Sequence, residues 1–356
     1  MVVIERIDDL EGLRQLTPSW EALLVRSDAD PVFLHPIFLQ CWWRAFGDHG
    51  RRQLHLLVLR EGNEIIAIAP LMRKRFPCGL LGLEIISTVS QGHGDYGGLI
   101  YPRDRPDLLA ELLVHLRQTT GWHWLRLRHI PARTQLKHHL ALAAVAAKLV
   151  MHERHLVDCP FITLPGTYEE LARSLPKSLR GDLRRKCARL RLLGRLDFKA
   201  YRHGHEILPL LPDLYEMHIK RWAAQGSVFS RTDYRLYVEL LAREFAPTGY
   251  LHFSGLFLKD RPIALHLGFA TESRFYYYRP AYDLDYASYS PGTILLNQLV
   301  ESSIVDGVSC FDFLLGDEAY KLQWATDSCP NQEFWLYPDT FWSRLRGSAA
   351  IHLHIP

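Results

Sequence analysis

Several absences narrow what this chain can be. No apolar run approaches the roughly 18 residues that a membrane-spanning helix requires. The richest run, His139–Val150, is read as a buried helix. The opening MVVIERIDDLEGL has neither a basic n-region nor an apolar h-region, so it is not read as a secretory signal. Six cysteines (Cys41, Cys78, Cys159, Cys187, Cys310, Cys329) lie far apart, with no CxxC pair. Zinc sites and redox motifs need closely spaced ligands, so neither a metal nor dithiol chemistry is expected. Scattered cysteines suit a reducing compartment, and the cytoplasm is the expected location. No low-complexity or single-sign tract suggests disorder, and a net charge of +3 is too small to imply nucleic acid by itself.

What the chain does have is material for well-supplied cores: 48% of its 356 residues are hydrophobic, and the length suits two ordinary domains. One order of elements occurs twice. LHLLVLREGNEIIAIAPLMRKR (Leu54–Arg75) and LHFSGLFLKDRPIALHLGFATES (Leu251–Ser273) each read as two apolar strands around a polar turn, Glu61-Gly62-Asn63 in one and Lys259-Asp260-Arg261 in the other. A third strand follows in both, Leu83–Thr88 and Arg274–Arg279, then a loop containing Gly and Tyr. Next come an amphipathic helix (Pro106–Thr119; Pro291–Val305) and an aromatic-rich strand (Trp122–His129; Val308–Leu314).

Elements repeating in one order predict two copies of a mixed α/β domain, residues 1–165 and 166–343, with 344–356 as a tail. Helices Leu13–Val25 and Pro36–Phe46 precede the first hairpin, and Tyr168–Leu175, Leu179–Leu193, Ile207–Ala224 and Tyr234–Phe245 precede the second. A helix over Thr134–Met151 and a strand over His152–Ile162 are expected between them, and a last strand over Gln332–Tyr337.

The most distinctive run is Tyr278–Ala325. It holds Ala281-Tyr282-Asp283, Tyr289-Ser290-Pro291-Gly292, Phe311-Asp312-Phe313, and Gly316-Asp317-Glu318-Ala319-Tyr320-Lys321 with Trp324. Together with the basic helix upstream and His218-Ile219-Lys220-Arg221-Trp222, it resembles the GNAT-like acyltransferase family of CelD type from bacterial polysaccharide loci, which is related to the FemA/FemB-type peptidoglycan bridge transferases. The resemblance implies an α/β (α+β) fold of two tandem GNAT-like domains with mixed, mostly antiparallel central sheets, the first domain degenerate. It further implies transfer of an acyl group from acyl-CoA or acetyl-CoA to an amine, small-molecule or glycan-linked, in polysaccharide or cell-envelope biosynthesis. Two other readings stay open. One is an aminoacyl-tRNA-dependent transferase, whose coiled-coil arm has no counterpart here. The other is a non-catalytic binding protein of a polysaccharide machine, favoured by a phosphate loop with fewer glycines than usual.

Ser290, Pro291, Gly292 and Thr293 stand at the start of an apolar-periodic helix. Proline is pre-organised there, glycine lets a ligand approach, and the free N–H groups suit the donor's pyrophosphate. Acyl transfer needs an unprotonated amine and a stabilised oxyanion. Asp283 is the expected base or substrate ligand, with Asp285 its competitor and turn capping the alternative for both. Tyr320 is expected near the sulfur. Lys321, after a strand end where ligands gather, is expected to meet phosphate or developing charge, or else to pair outward. Asp312 within an aromatic strand needs a partner, as an anchor or as a substrate ligand. Arg221, His266 and Tyr278 complete the expected substrate-binding set, with packing the competing role for His266 and Tyr278.

The Lys/Arg-rich segment Arg173–Arg202 carries an apolar stripe, Leu179, Leu183, Leu190 and Leu193, so its cations are read as a solvated face. No aromatics interleave with them, so sequence-specific nucleic-acid binding is not expected, while contact with an anionic membrane surface is left open. In the first half, Gly92–Gly98 is read as a degenerate donor loop that shapes an acceptor cleft.

Overall fold

The computed structural model describes residues 1–47, 50, 52–76 and 83–339. Cys78 and the expected tail 344–356 lie outside them. The chain clusters into two units, Met1–Val157 with Pro330 onward, and Asp158–Cys329.

The first unit opens with β1 (Val2–Ile7), α1 (Leu10–Gln15), α2 (Thr17–Val25) and α3 (Pro36–Phe46). The expected single helix Leu13–Val25 is two, because Pro18 occupies the first turn of α2 and supplies no N–H to continue α1. Asp9 caps α1 by accepting the Gly12 N–H at 2.6 Å. There follow β2 (Arg52–Leu54), β3 (Leu56–Glu61), β4 (Glu64–Ala69), β5 (Leu71–Phe76), β6 (Leu83–Thr88), α4 (Asp107–Gln118), β7 (Trp124–Pro131), α5 (Leu136–Ala146) and β8 (Leu149–Thr163). The helix expected over Thr134–Met151 stops early, because the chain turns at Lys148 (φ 53°) straight into β8.

β3 and β4 form the expected hairpin, but with β1 they make a separate three-stranded sheet. Pro70 separates β4 from β5, and β5 pairs instead with β6. β6 and β7 run parallel, joined by α4. The last strand, β14 (Asp327–Pro338), lies antiparallel to β7. Leu109, Leu112 and Leu116 of α4 and Leu140 of α5 are buried in a core with Leu125 and Leu127 of β7.

The second unit takes the end of β8, then α6 (Tyr168–Ser174), α7 (Lys177–Leu193), β9 (Leu196–Tyr201), α8 (Gly204–Ile207), α9 (Leu211–Arg221) and α10 (Thr232–Leu240). It continues through β10 (Leu251–Leu258), β11 (Arg261–Ala270), β12 (Arg274–Tyr282), α11 (Pro291–Val305), β13 (Cys310–Asp312) and α12 (Ala319–Leu322). Strands β9, β10, β11 and β12 are antiparallel neighbours. The β10–β11 turn is the two residues Lys259 and Asp260, both left-handed at φ 51° and 65°, a backbone twist that matches the flanking strands.

α11 packs Leu295, Leu299 and Val300 into a core with Ala264, Phe275 and Phe311 of the sheet. Each such side chain contributes about 1.5–3 kcal/mol on burial, so packing rather than propensity holds the helix. β12 and β13 are parallel over three residue pairs only, Arg274 with Cys310, Phe275 with Phe311 and Tyr276 with Asp312. Asp312 ends the pairing. Its Oδ2 accepts from Arg274 Nη1 at 2.8 Å, and its Oδ1 accepts the Leu314 N–H at 2.9 Å where Leu314 turns left-handed (φ 60°). The Phe313 N–H then donates to the Pro160 carbonyl of β8, so the chain leaves β12. The result is a mixed, mostly antiparallel sheet of GNAT-like α/β type in which two parallel strands separate below α11.

Two consequences are measurable. Asp312→Ala should cost about 3 kcal/mol in denaturant unfolding, the low end for a buried pair because Arg274 keeps 22% of its side chain in water. A change below about 1 kcal/mol would contradict the anchoring role.

The second concerns acid. Burial lowers His35, His55 and His218 from their ordinary 6.5 to about 4, and His129 and His252 to about 3. These rings are neutral when folded, and the unfolded chain takes up their protons first. The stability they allow is present above pH 6.5 and falls as the pH drops from there toward 4, by up to about 1.4 kcal/mol per pH unit for each histidine. Melting temperature should therefore decline steadily between about pH 7 and 5. A flat profile across that window would show these histidines to be solvated.

Candidate active site in the second unit

Beyond the point where β12 and β13 separate lies a cavity of about 180 Å³. Tyr277, Pro280 and Tyr282 of β12 form one wall, and Gly292, Thr293 and Leu296 of α11 another. Ala287 and Ser290 from the preceding turn, Tyr320 of α12 and Arg221 of α9 complete it.

The start of α11 is built for close approach. Ser290 is left-handed (φ 50°, ψ 55°), and no side chain caps the helix. The Ser290 hydroxyl instead accepts from Lys186 Nζ at 2.7 Å. A Cβ on Gly292 would come within 3.1 Å of the Tyr282 ring, so only hydrogen fits there without a shift. The basic helix α7 is thus not wholly a solvated face. Its Lys186 reaches the α11 start, and the Arg189 guanidinium lies over the Tyr289 ring at 4.9 Å. Arg221 stacks over Tyr282 at 4.8 Å. A helix N-terminus with two nearby cations makes this end of the cavity electropositive.

Two phenols of the wall are held protonated. Burial, and then the charge of Glu318, push the Tyr320 phenol well above its ordinary range. Burial does the same to Tyr277, whose ring stacks on His266 at 4.6 Å. Such phenols serve as donors and acids, not as bases.

Of the residues singled out in the sequence, Arg221, Ser290, Gly292, Thr293 and Tyr320 come together here, with Pro291 buried in the first turn of α11. Others do not. Asp283 is 8% exposed and caps a turn: Oδ1 accepts the Asp285 N–H at 3.1 Å, and Oδ2 accepts from Arg261 at 2.8 Å. Lys321 is buried, donates to the Leu315 carbonyl at 2.7 Å and pairs with Glu318 at 2.8 Å, so it clamps the loop after β13. Asp312 is the anchor described above. His266 is fully buried behind Tyr277, its Nε2 accepting the Tyr278 N–H at 3.1 Å. Tyr278 is buried against the Arg279 guanidinium, 3.8 Å from its ring centre, with its hydroxyl 3.4 Å from that of Tyr234.

In the first unit, His93 accepts from Trp42 Nε1 at 2.9 Å and stacks on Phe46 at 4.0 Å, while Tyr96 is fully buried. Gly92 of that loop is exposed, and Gly97 and Gly98 line a small pocket with Asp30, Tyr101 and Arg133. Among the described residues no group of His, Cys, Asp and Glu could hold a metal ion, and no helix is long and apolar enough to cross a membrane.

Sequence reading missed Tyr277, Pro280, Tyr282, Ala287 and Leu296 as wall residues, and Lys186 as the partner of Ser290. Leu296 was within reach, lying four positions after Gly292 on one helix face. Tyr277 and Tyr282 were not, because a register shift between Leu267 and Phe269 breaks the period of two against β12.

Residues 177–322 match the family model of an acetyltransferase (GNAT) domain. That span begins with α7, ends with α12 and includes every wall residue of the cavity. The chain also resembles solved structures in fold. FemX superposes with a TM-score of 0.62 at 11% identity, covering 94% of this chain and 96% of that one. A conserved protein of unknown function from Bacteroides thetaiotaomicron gives 0.55 at 12% identity, covering 95% and 99%. L-PGS from Bacillus licheniformis gives 0.54 at 11%, covering 96% of each. At such identities the likeness is one of fold. No curated protein matches the sequence. The fold is GNAT-like, and the second unit carries an acetyltransferase domain, which makes this chain an acyltransferase.

The turn-capping geometry of Asp283 has a direct test. Asp283→Asn keeps the cap and loses an ion pair whose Arg261 side chain is 62% exposed, so stability should shift by less than about 1 kcal/mol. Turnover should stay within a few-fold of wild type. A loss of about 10²-fold or more at unchanged stability would restore Asp283 as a general base.

Proposed function

We propose that the protein is an N-acyltransferase that takes its acyl group from acyl-CoA, acetyl-CoA included, and passes it to a small-molecule or glycan-linked amine. The observation that carries this reading is the cavity at the start of α11, where an uncapped helix N-terminus, a glycine and two cations meet a wall of tyrosines. The donor's pyrophosphate lies against the first turn of α11 and Lys186, and its thioester beside Tyr320 and Arg221.

The amine nitrogen attacks the thioester carbonyl, a C–N bond forms and the C–S bond breaks. Arg221 stabilises the oxyanion, and Tyr320 gives its proton to the departing thiolate. The residues lining the cavity include neither carboxylate nor histidine, so the amine arrives neutral, the proton its nitrogen sheds after attack passes to water, and water returns a proton to Tyr320.

The distinctive motifs around Tyr289–Gly292 and Gly316–Lys321 favour the CelD-type reading, a cytoplasmic step in bacterial polysaccharide or cell-envelope biosynthesis. We take the first unit as a second, degenerate GNAT-like domain. Its β6–α4–β7 parallel crossover repeats β12–α11–β13, which supports the tandem arrangement. An aminoacyl-tRNA donor is the second reading, favoured by the exposed Arg184, Arg185 and Arg191 of α7.

Calorimetry with acetyl-CoA tests the donor site without knowledge of the acceptor. Gly292→Asp sets a carboxylate against the pyrophosphate and should abolish binding in a folded protein. Tyr320→Phe should keep donor affinity and lower thiol release about 10²-fold once an acceptor is supplied. Unchanged affinity in folded Gly292→Asp would reject the site, and wild-type turnover in Tyr320→Phe would reject the acid.

A further inference from the structure

The first unit carries a cluster of charge that the donor site does not use. On one face of its sheet, Lys74 of β5 stands opposite Arg52 of β2, and Arg128 of β7 opposite Glu333 of β14. Arg126 shares that face, and Arg154 of β8 reaches it. Glu333 is fully buried, with Arg126 Nε at 2.5 Å, Arg154 Nη2 at 2.7 Å and Arg128 Nε at 3.6 Å. A single carboxylate thus meets three guanidiniums.

Lys74 adds a further cation and donates to Gln91 Oε1 at 2.8 Å. Burial, and then the charges of Arg52, Arg126 and Arg128, bring its ammonium down to about 7. Gathering like charges in this way costs stability, and a fold that keeps such a cluster uses it for something else. The cluster is also incompletely satisfied. The Nε atoms of Arg128 and Arg154 and the hydroxyl of Ser87, which faces Arg126 across the β6–β7 pair, are buried without a hydrogen-bond partner, Arg128 Nε being within ion-pair range of Glu333 only. Yet Arg128 and Arg154 keep 27% and 38% of their side chains in solvent, so the face can be reached.

We propose that this face of the first unit is an anion site that takes a phosphate group of a small-molecule ligand. Glu333 already supplies one carboxylate and leaves positive charge in excess, so the missing partner carries more than one negative charge. A tetrahedral dianion presents three oxygens to forked guanidiniums and to an ammonium, and it can accept from the N–H groups that Glu333 leaves over. The residues of this site belong to the first unit, so the proposal does not depend on the donor assignment.

The test titrates inorganic pyrophosphate into the full chain at low ionic strength by calorimetry. Binding should survive Gly292→Asp, which disables the α11 start. It should weaken at least about tenfold in Lys74→Met and in Arg154→Gln, the loss of one charge-assisted contact. Lys74→Met removes a repelled charge and keeps the aliphatic stem, so its melting temperature should equal or exceed that of wild type. That keeps the test decisive even if Arg154→Gln folds poorly. Absence of binding up to about 10 mM overturns the proposal, since a site of this charge should exceed about 3 kcal/mol of binding free energy. Loss of binding in Gly292→Asp with no change in folded Lys74→Met also overturns it and returns the anion to the donor cavity.

Discussion

The Asp312 carboxylate decides where the second unit opens. With one oxygen on Arg274 and the other on the Leu314 N–H, it stops β13 after three parallel pairs and turns the chain away from β12. A longer ladder would have carried the two strands together beneath α11 and left no space between them. Because they separate, the last part of β12 presents Tyr277, Pro280 and Tyr282 to a cavity, and the loop after Asp312 brings α12 and Tyr320 to its other side. The internal clamp of Lys321 on Leu315 and Glu318 then holds that loop in place.

Charge completes what the backbone opens. α11 begins without a capping side chain, so its first turn keeps its electropositive character, and Lys186 and Arg221 add to it from α7 and α9. No acidic group lines the cavity to offset them. The first unit also has a parallel crossover, with Tyr96 buried and His93 stacked on Phe46 in the loop after β6, and it gathers cations around Glu333. One architecture thus carries two electropositive sites of different construction, a helix start in one unit and a sheet face in the other.

Element order was legible in the sequence wherever a local signal decided it. α11 spans the expected Pro291–Val305, because a proline marks its first turn and apolar spacing marks its length. Both hairpins lie about their polar turns. The split at Pro70 was not read, although the residue was in view, because a proline between apolar strands is compatible with a bulge, an edge or a break. Of the residues singled out by motif and position, Ser290, Gly292, Thr293, Arg221 and Tyr320 line the cavity. Asp283, Asp312 and Lys321 do not line it and have partners of their own. Each stands at the end of an element, where capping a turn and meeting a ligand call for the same residue type. The choice between them lies in partners distant in sequence, such as Arg261 for Asp283 and Arg274 for Asp312.

Hydrogen exchange on the full chain, with and without acetyl-CoA, tests the central claim most directly. If the donor lies at the start of α11, added acetyl-CoA slows exchange across Tyr282–Leu296 and the Lys186 end of α7, and leaves the Gly92–Gly98 loop unchanged. Protection confined to Gly92–Gly98, or none anywhere at saturating donor, would contradict the account.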